Sequence, residues 1–275
     1  MYYDQIDVSL NGSGIMAESA EITTSPSLQS VYSLGQRGIW NQVPSAPITS
    51  NISINYYLET NYDHNKNTID FLKTGYTSTY HPSTRVVIGN ITGSGYLQSF
   101  SISAQPNSPI LANVNYICYH ELAGGLAQRN NTIKYNTTNS SGLAHGYSLH
   151  ITSSGNSQIV PTYGFNYNFS TDWSPMYKMG DKNPIQVNYL GANERFDLIR
   201  DVYTGVNLIS GVALTGYLNI TGDTNLDIIS LSSSVNMVNT STMNFNLSGA
   251  KVNSNLLSAQ LDDFIRIQTT ATNNY

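Results

Sequence analysis

A chain of 275 residues with 40% hydrophobic side chains carries enough apolar material for one large β domain or two of ordinary size, which excludes a disordered tail. Charged residues make up only 11%, and 12 basic against 17 acidic residues give a formal net charge of −5. That balance argues against a strongly attractive nucleic-acid surface, which shows clustered Lys and Arg.

The polar surface must therefore come from Asn, Ser, Thr and the 20 Tyr, side chains suited to broad packed contacts. The N-terminal MYYDQIDVSL shows neither a basic n-region nor an apolar h-region, so no secretory leader is expected. NGSG (11–14) is a turn signal, and EITTSPSLQSVYSLG (21–35) and ISINYYL (52–58) read as extended chain. IDFLK (69–73) lacks β alternation and reads as a short helix, with Thr68 as N-cap and Gly75 as stop. GNITGSG (89–95), the alternating LQSFSIS (97–103), NVNYICY (113–119) and AGG (123–125) continue a pattern of strands and turns. A Ser/Gly/Asn stretch, NTTNSSGLAHG (136–146), reads as a linker.

Beyond that linker the landmarks return in order. NYNFSTDWSPMYKMG (166–180) lies over 21–35 without a gap, matching Ser170, Tyr177 and Gly180 to Ser25, Tyr32 and Gly35. IQVNYL (185–190) echoes ISINYYL, and FDLIR (196–200), within ERFDLIRD, echoes IDFLK, again read as a helix between Asn193 and Gly205. NITG at 90–93 recurs at 219–222, followed by LDIISLS. TMNFNLS (242–248) faces NVNYICY, and SAQLDDFIRIQTT (258–270) faces LAQRNNTIKYNTT (126–138). Chance echoes in an Asn/Ser/Thr-rich chain do not stay collinear. The expectation is a mainly β protein of two tandem β-sandwich or barrel domains, 1–141 and 142–275, each with one short flanking helix.

Signals for chemistry are sparse. Cys118, His120 and Glu121 stand close together in YICYHE, and a Cys–His pair can generate a thiolate nucleophile. No orienting acid or oxyanion loop accompanies them, and a half-buried strand of mixed polarity explains them better. His64, His81, His120, His145 and His150 have no metal-ligand spacing. DHNKN (63–67) and DTNLD (223–227) resemble the opening of a calcium loop but lack its Gly and closing Glu. Sequons such as those at Asn51, Asn90 and Asn219 are what this composition supplies by chance. No catalytic, cofactor-binding or metal residue is expected, and no run approaches the ~18 apolar residues of a membrane-spanning helix. Tyr32, Tyr56, Tyr177 and Tyr189 fall at matched places and read as shared core or interface, ahead of a ligand platform.

At VYSLGQRGIWNQVPSAPITSNISINYYLE (31–59) and PMYKMGDKNPIQVNYL (175–190) the chain resembles tail-tube proteins of tailed bacteriophages. The likeness lies in an aromatic–x–aliphatic–Gly step, a loop ending in Pro and a strand rich in Ile and Val. The resemblance implies a structural virion protein of the tail, not an enzyme, assembled in the host cytoplasm. Its principal partner would be itself, with other tail proteins beside it: trimeric rings of pseudo-sixfold symmetry, stacked into a conduit through which DNA passes without specific binding. It also implies that GNITGSGYL (89–97) and the insert at 59–68 are ring-to-ring or outward-facing loops. The alternatives are a tail terminator, neck or baseplate ring, a capsid decoration protein, or a carbohydrate-binding adhesin module.

Overall fold

A computed structural model describes residues 7–15, 17–25, 28–45, 47–58, 83–105, 108–124, 146–153, 156–160, 162–179, 181–201, 213–221, 241–243, 250–258 and 266–274. Among them the protein is mainly β, with no helix.

The first half opens with a small hairpin, β1 (Val8–Leu10) and β2 (Ser13–Gly14). Leu10 pairs with Ser13 across a two-residue loop in which Asn11 and Gly12 both take positive φ, 48° and 87°, the geometry that an Asn-Gly step supplies at little cost. A long hairpin follows, one arm being β3 (Ala17–Ser25) and β4 (Leu28–Val31), the other β5 (Asn41–Pro44) and β6 (Thr49–Tyr57). Then come β7 (Thr84–Ile88), β8 (Ile91–Ala104) and β9 (Leu111–Cys118). The second half holds a hairpin of β10 (Gly146–Ser153) and β11 (Asn156–Val160), and a long hairpin of β12 (Thr162–Met176) and β13 (Gln186–Asp201). After these run β14 (Ala213–Thr221), the short β15 (Ser241–Met243), β16 (Ala250–Ser258) and β17 (Arg266–Asn274).

All but β4 and β5 join one 15-stranded sheet, which curls into a half-barrel, and every pairing in it is antiparallel. Period-2 alternation places one face inside. Ile52, Ile54 and Tyr56 of β6, Phe100 and Ile102 of β8, Val114 and Tyr116 of β9, Phe165, Tyr167 and Phe169 of β12, and Phe196 and Leu198 of β13 form a single apolar cluster. Each such side chain contributes on the order of 1.5–3 kcal/mol on burial.

The two halves repeat one strand order. Neighbours in the first run β2-β1-β7-β8-β9-β6-β3; in the second, β11-β10-β14-β16-β17-β13-β12. With β4 taken as part of β3, β5 as part of β6 and β15 set aside, both orders read second, first, fifth, sixth, seventh, fourth, third. The irregularities recur too. Ala17 pairs with Tyr56 and, across a bulge, Ser19 with Asn55; Thr162 pairs with Arg200 and, across a bulge, Gly164 with Ile199. Leu97 pairs with Tyr116 and, across a bulge, Ser99 with Asn115; Val252 pairs with Ala271 and, across a bulge, Ser254 with Thr270. A bulge costs ladder hydrogen bonds, so its recurrence at one place in two hairpins is not a generic property of sheets.

The structure corrects four readings of the sequence. ERFDLIRD is not a helix: residues 194–201 lie in β13, where Glu194, Phe196, Leu198 and Arg200 point inward. It is ERFDLIRD, not IQVNYL, that takes the place of ISINYYL, with Phe196, Leu198 and Arg200 answering Ile52, Ile54 and Tyr56. NVNYICY is answered by 268–274 in β17, not by TMNFNLS. The segment 89–97 is also not a loop beyond Gly89 and Asn90: β8 begins at Ile91, and Gly93, Gly95 and Leu97 are buried. Gly95 admits no Cβ, which would stand 2.7 Å from that of Tyr116. The helix expected at 69–73 and the insert at 59–68 lie outside the described residues.

Candidate assembly surfaces

The halves meet where β12 pairs with β8. Phe165 lies opposite Ala104, Tyr167 opposite Ile102, Phe169 opposite Phe100 and Ser170 opposite Ser99. Phe165, Tyr167 and Phe169 are each 1% exposed, so β8 of the first half covers the edge of β12 over residues 165–170. Beyond Ser170 the seam is clamped by side chains. The Trp173 Nε1–H donates to the Leu97 carbonyl at 2.6 Å, and the Thr171 hydroxyl donates to the same oxygen. Tyr96 packs on Trp173 at 5.1 Å and on Tyr119 at 6.0 Å, and Trp173 packs edge-on to Tyr189 at 5.4 Å. Burial, with Asp172 nearby, pushes the Tyr189 phenol up to about 12. Burial also raises Tyr119, helped by Tyr177 and Tyr96.

Among the described residues, the corresponding strand of the first half has no such cover. β3 is mostly exposed, and among the described residues its only neighbour is β6. Ala20, Ile22 and Thr24 stand where Phe165, Tyr167 and Phe169 stand in β12. Ala20 and Thr24 are exposed and Ile22 half-buried. Leu28 occupies the place of Trp173 and is 52% exposed.

The tips of the long hairpins are the second surface. Val31 pairs with Asn41 and Met176 with Gln186, leaving tips at 32–40 and 177–185. Leu34 is fully exposed, and so is its counterpart Met179. Tyr32, Ile39 and Trp40 on one tip and Ile185 at the end of the other are exposed as well. Six exposed large hydrophobic side chains thus gather on the two tips.

Across the sheet's other face runs a neutral hydrogen-bonded row. Asn55 Nδ2 donates to Ser19 Oγ at 2.8 Å, Asn113 Nδ2 to Asn55 Oδ1 at 2.6 Å, and Asn115 Nδ2 to Asn113 Oδ1 at 2.8 Å. In the second half this face carries Arg195 paired to Asp197 at 2.9 Å, with the Thr270 hydroxyl donating to Asp197 at 2.6 Å. A cleft of ≈ 530 Å³ opens on it beside Ser101, Asn168, Asn193 and Arg195. Phe100 and Phe169 border that cleft but are buried, so they offer no ring for a sugar or base to stack on.

Of the sequence's candidates, Cys118 is buried at the end of β9, and burial pushes its thiol up to about 11, the opposite of an activated thiolate. His120 and Glu121 follow beyond the end of the strand, so no shared strand face joins them to Cys118. No group of three His, Cys, Asp or Glu able to hold a metal occurs among the described residues. His64, His81, His145 and the acidic loops 63–67 and 223–227 lie outside them. Tyr56 is core and Tyr189 packs against it, whereas Tyr32 and Tyr177 are the matched pair, one on each tip. Tyr56 and Tyr189 answer Arg200 and Pro44 instead.

Glu194 was missed by sequence reasoning. Buried in β13, it accepts a hydrogen bond from Tyr167 at 2.6 Å, which ties the two arms of the second hairpin together. Neither a family model nor a curated protein matches the chain.

Proposed function

We propose that the protein is a structural subunit that assembles with copies of itself, and that its two halves descend from one duplicated β unit. The observation that carries this is the shared strand order with shared bulges, combined with an edge sealed in one half and open in the other. A repeated unit joined edge to edge within a chain has a built-in geometry for joining chains head to tail, and a rotation that closes gives a ring. The exposed apolar tips fit contacts between rings. The chain's resemblance to phage tail-tube proteins names the assembly: rings of three copies and six equivalent units, stacked into a DNA conduit in the virion tail. The chain's low charge suits such a channel, since clustered Lys and Arg would hold phosphate and stall the genome. Tail terminator, neck and baseplate rings fit the same observations; an enzyme or sugar-binding module does not gain from any of them.

Negative-stain microscopy of the concentrated protein tests the reading. Rings or tubes with a six-lobed cross-section are expected. A compact particle of one chain at every concentration and salt would overturn it.

A further inference from the structure

We infer that residues 21–25 of β3 add, antiparallel, to β16 of a second copy, in the register that β12 uses on β8 within one chain. This rests on the self-assembly reading and gives it a specific seam.

The register is fixed by the matched bulges. Ser99 and Ser254 both follow the bulge of the sixth strand of their half, and Ser25 and Ser170 hold the same place in the third. Since Ser170 pairs with Ser99, Ser25 is assigned to Ser254, and the next residues follow: Thr24 to Asn255, Thr23 to Leu256, Ile22 to Leu257 and Glu21 to Ser258. Among the described residues no strand pairs with either edge where this requires it. Among the described residues β3 pairs only with β6, while β14 takes only Ala250 and Lys251 of β16. On β8, likewise, β7 occupies Ile91–Gly95 and leaves Ser99–Ala104 for β12. An unprotected edge of this kind is a template for another strand. The pairing would also cover Ile22 and Thr24, the positions buried in β12, and would set Leu28 where Trp173 closes the internal seam. Each copy gives one edge and receives another, so the contact is heterologous and propagates head to tail.

Cysteine cross-linking between two single variants tests it. Thr23→Cys and Leu256→Cys, both at exposed positions, are purified separately, mixed under assembly conditions and oxidised; Cys118 stays in place, buried. The expected result is a disulfide-linked dimer that forms at least tenfold more in the mixture than in either variant alone. It should also exceed by that factor the yield from Thr23→Cys mixed with the out-of-register Lys251→Cys. Assemblies visible by microscopy without this excess would overturn the seam and leave self-assembly standing. Failure of the unmodified protein to assemble at all would overturn both.

Discussion

The edge of β12 and the edge of β3 occupy one place in a repeated strand order, yet the inward side chains of one are buried and those of the other largely exposed. Where β12 places Phe165, Tyr167 and Phe169 against β8, β3 offers Ala20, Ile22 and Thr24. The sealed edge is large and aromatic because it must hold permanently within the chain. The open edge is small and partly polar, which keeps little apolar surface in water along an unpaired strand. The same contrast separates Trp173, clamped to the Leu97 carbonyl, from exposed Leu28. What differs between the halves is not the strand order but whether another strand of the chain covers that edge.

Substitutions at paired places sharpen this contrast. Phe169→Ala removes a core ring and is expected to cost about 3–5 kcal/mol in urea unfolding. Thr24→Ala, its counterpart, should stay within roughly 0.5 kcal/mol for the dissociated chain. Comparable losses at both would mean that β3 is already packed in the monomer. Trp173→Ala should cost about 3 kcal/mol and unclamp the second tip, seen as faster proteolysis near 177–185. Leu28→Ala should leave the midpoint unmoved and weaken only assembly.

An asymmetry in pH response should also follow. Cys118 stands where the second half has Asn273. Its thiol ionises near 9.0 in the unfolded chain and at about 11 when folded, so the stability due to the neutral buried thiol is complete below pH 9. That stability is lost as pH rises toward 11, by roughly 3 kcal/mol at most. Unfolding midpoints measured from pH 8 to 11 should fall, and Cys118→Ala should flatten the decline while lowering the starting value. The smallest effect on folding is expected at the tips. Leu34→Asp with Met179→Asp should shift stability by less than about 0.5 kcal/mol, yet reduce the ring stacking proposed above, as read by sedimentation.

Much of this fold was legible in the sequence because alternation and turn chemistry are local. NGSG fixed the first hairpin, and the gap-free match of 21–35 to 166–180 is the register of the first arms and tips. The helix at 194–201 was misread for a physical reason. Glu194 and Arg200 take inward places that normally carry Ile or Leu, and Asp197 is buried beside Arg195 and Thr270, so the period of two is hidden behind polar letters. Their cost is offset by partners such as Tyr167, which come from another strand and leave no local trace. The echo of ISINYYL in IQVNYL misled because strand vocabulary is small; only the pairing assigns its true counterpart. The edges could not be read either, since which strand ends a sheet depends on non-local order.

Hydrogen exchange at residues 20–25 and 165–170, followed from dilute to concentrated protein, tests the central claim most directly. Amides of β12 are predicted to exchange slowly throughout, and those amides of β3 that face away from β6 to exchange fast when dilute and slow once assemblies form. Exchange at β3 that stays fast inside assemblies, or is already slow in the isolated chain, would contradict the account.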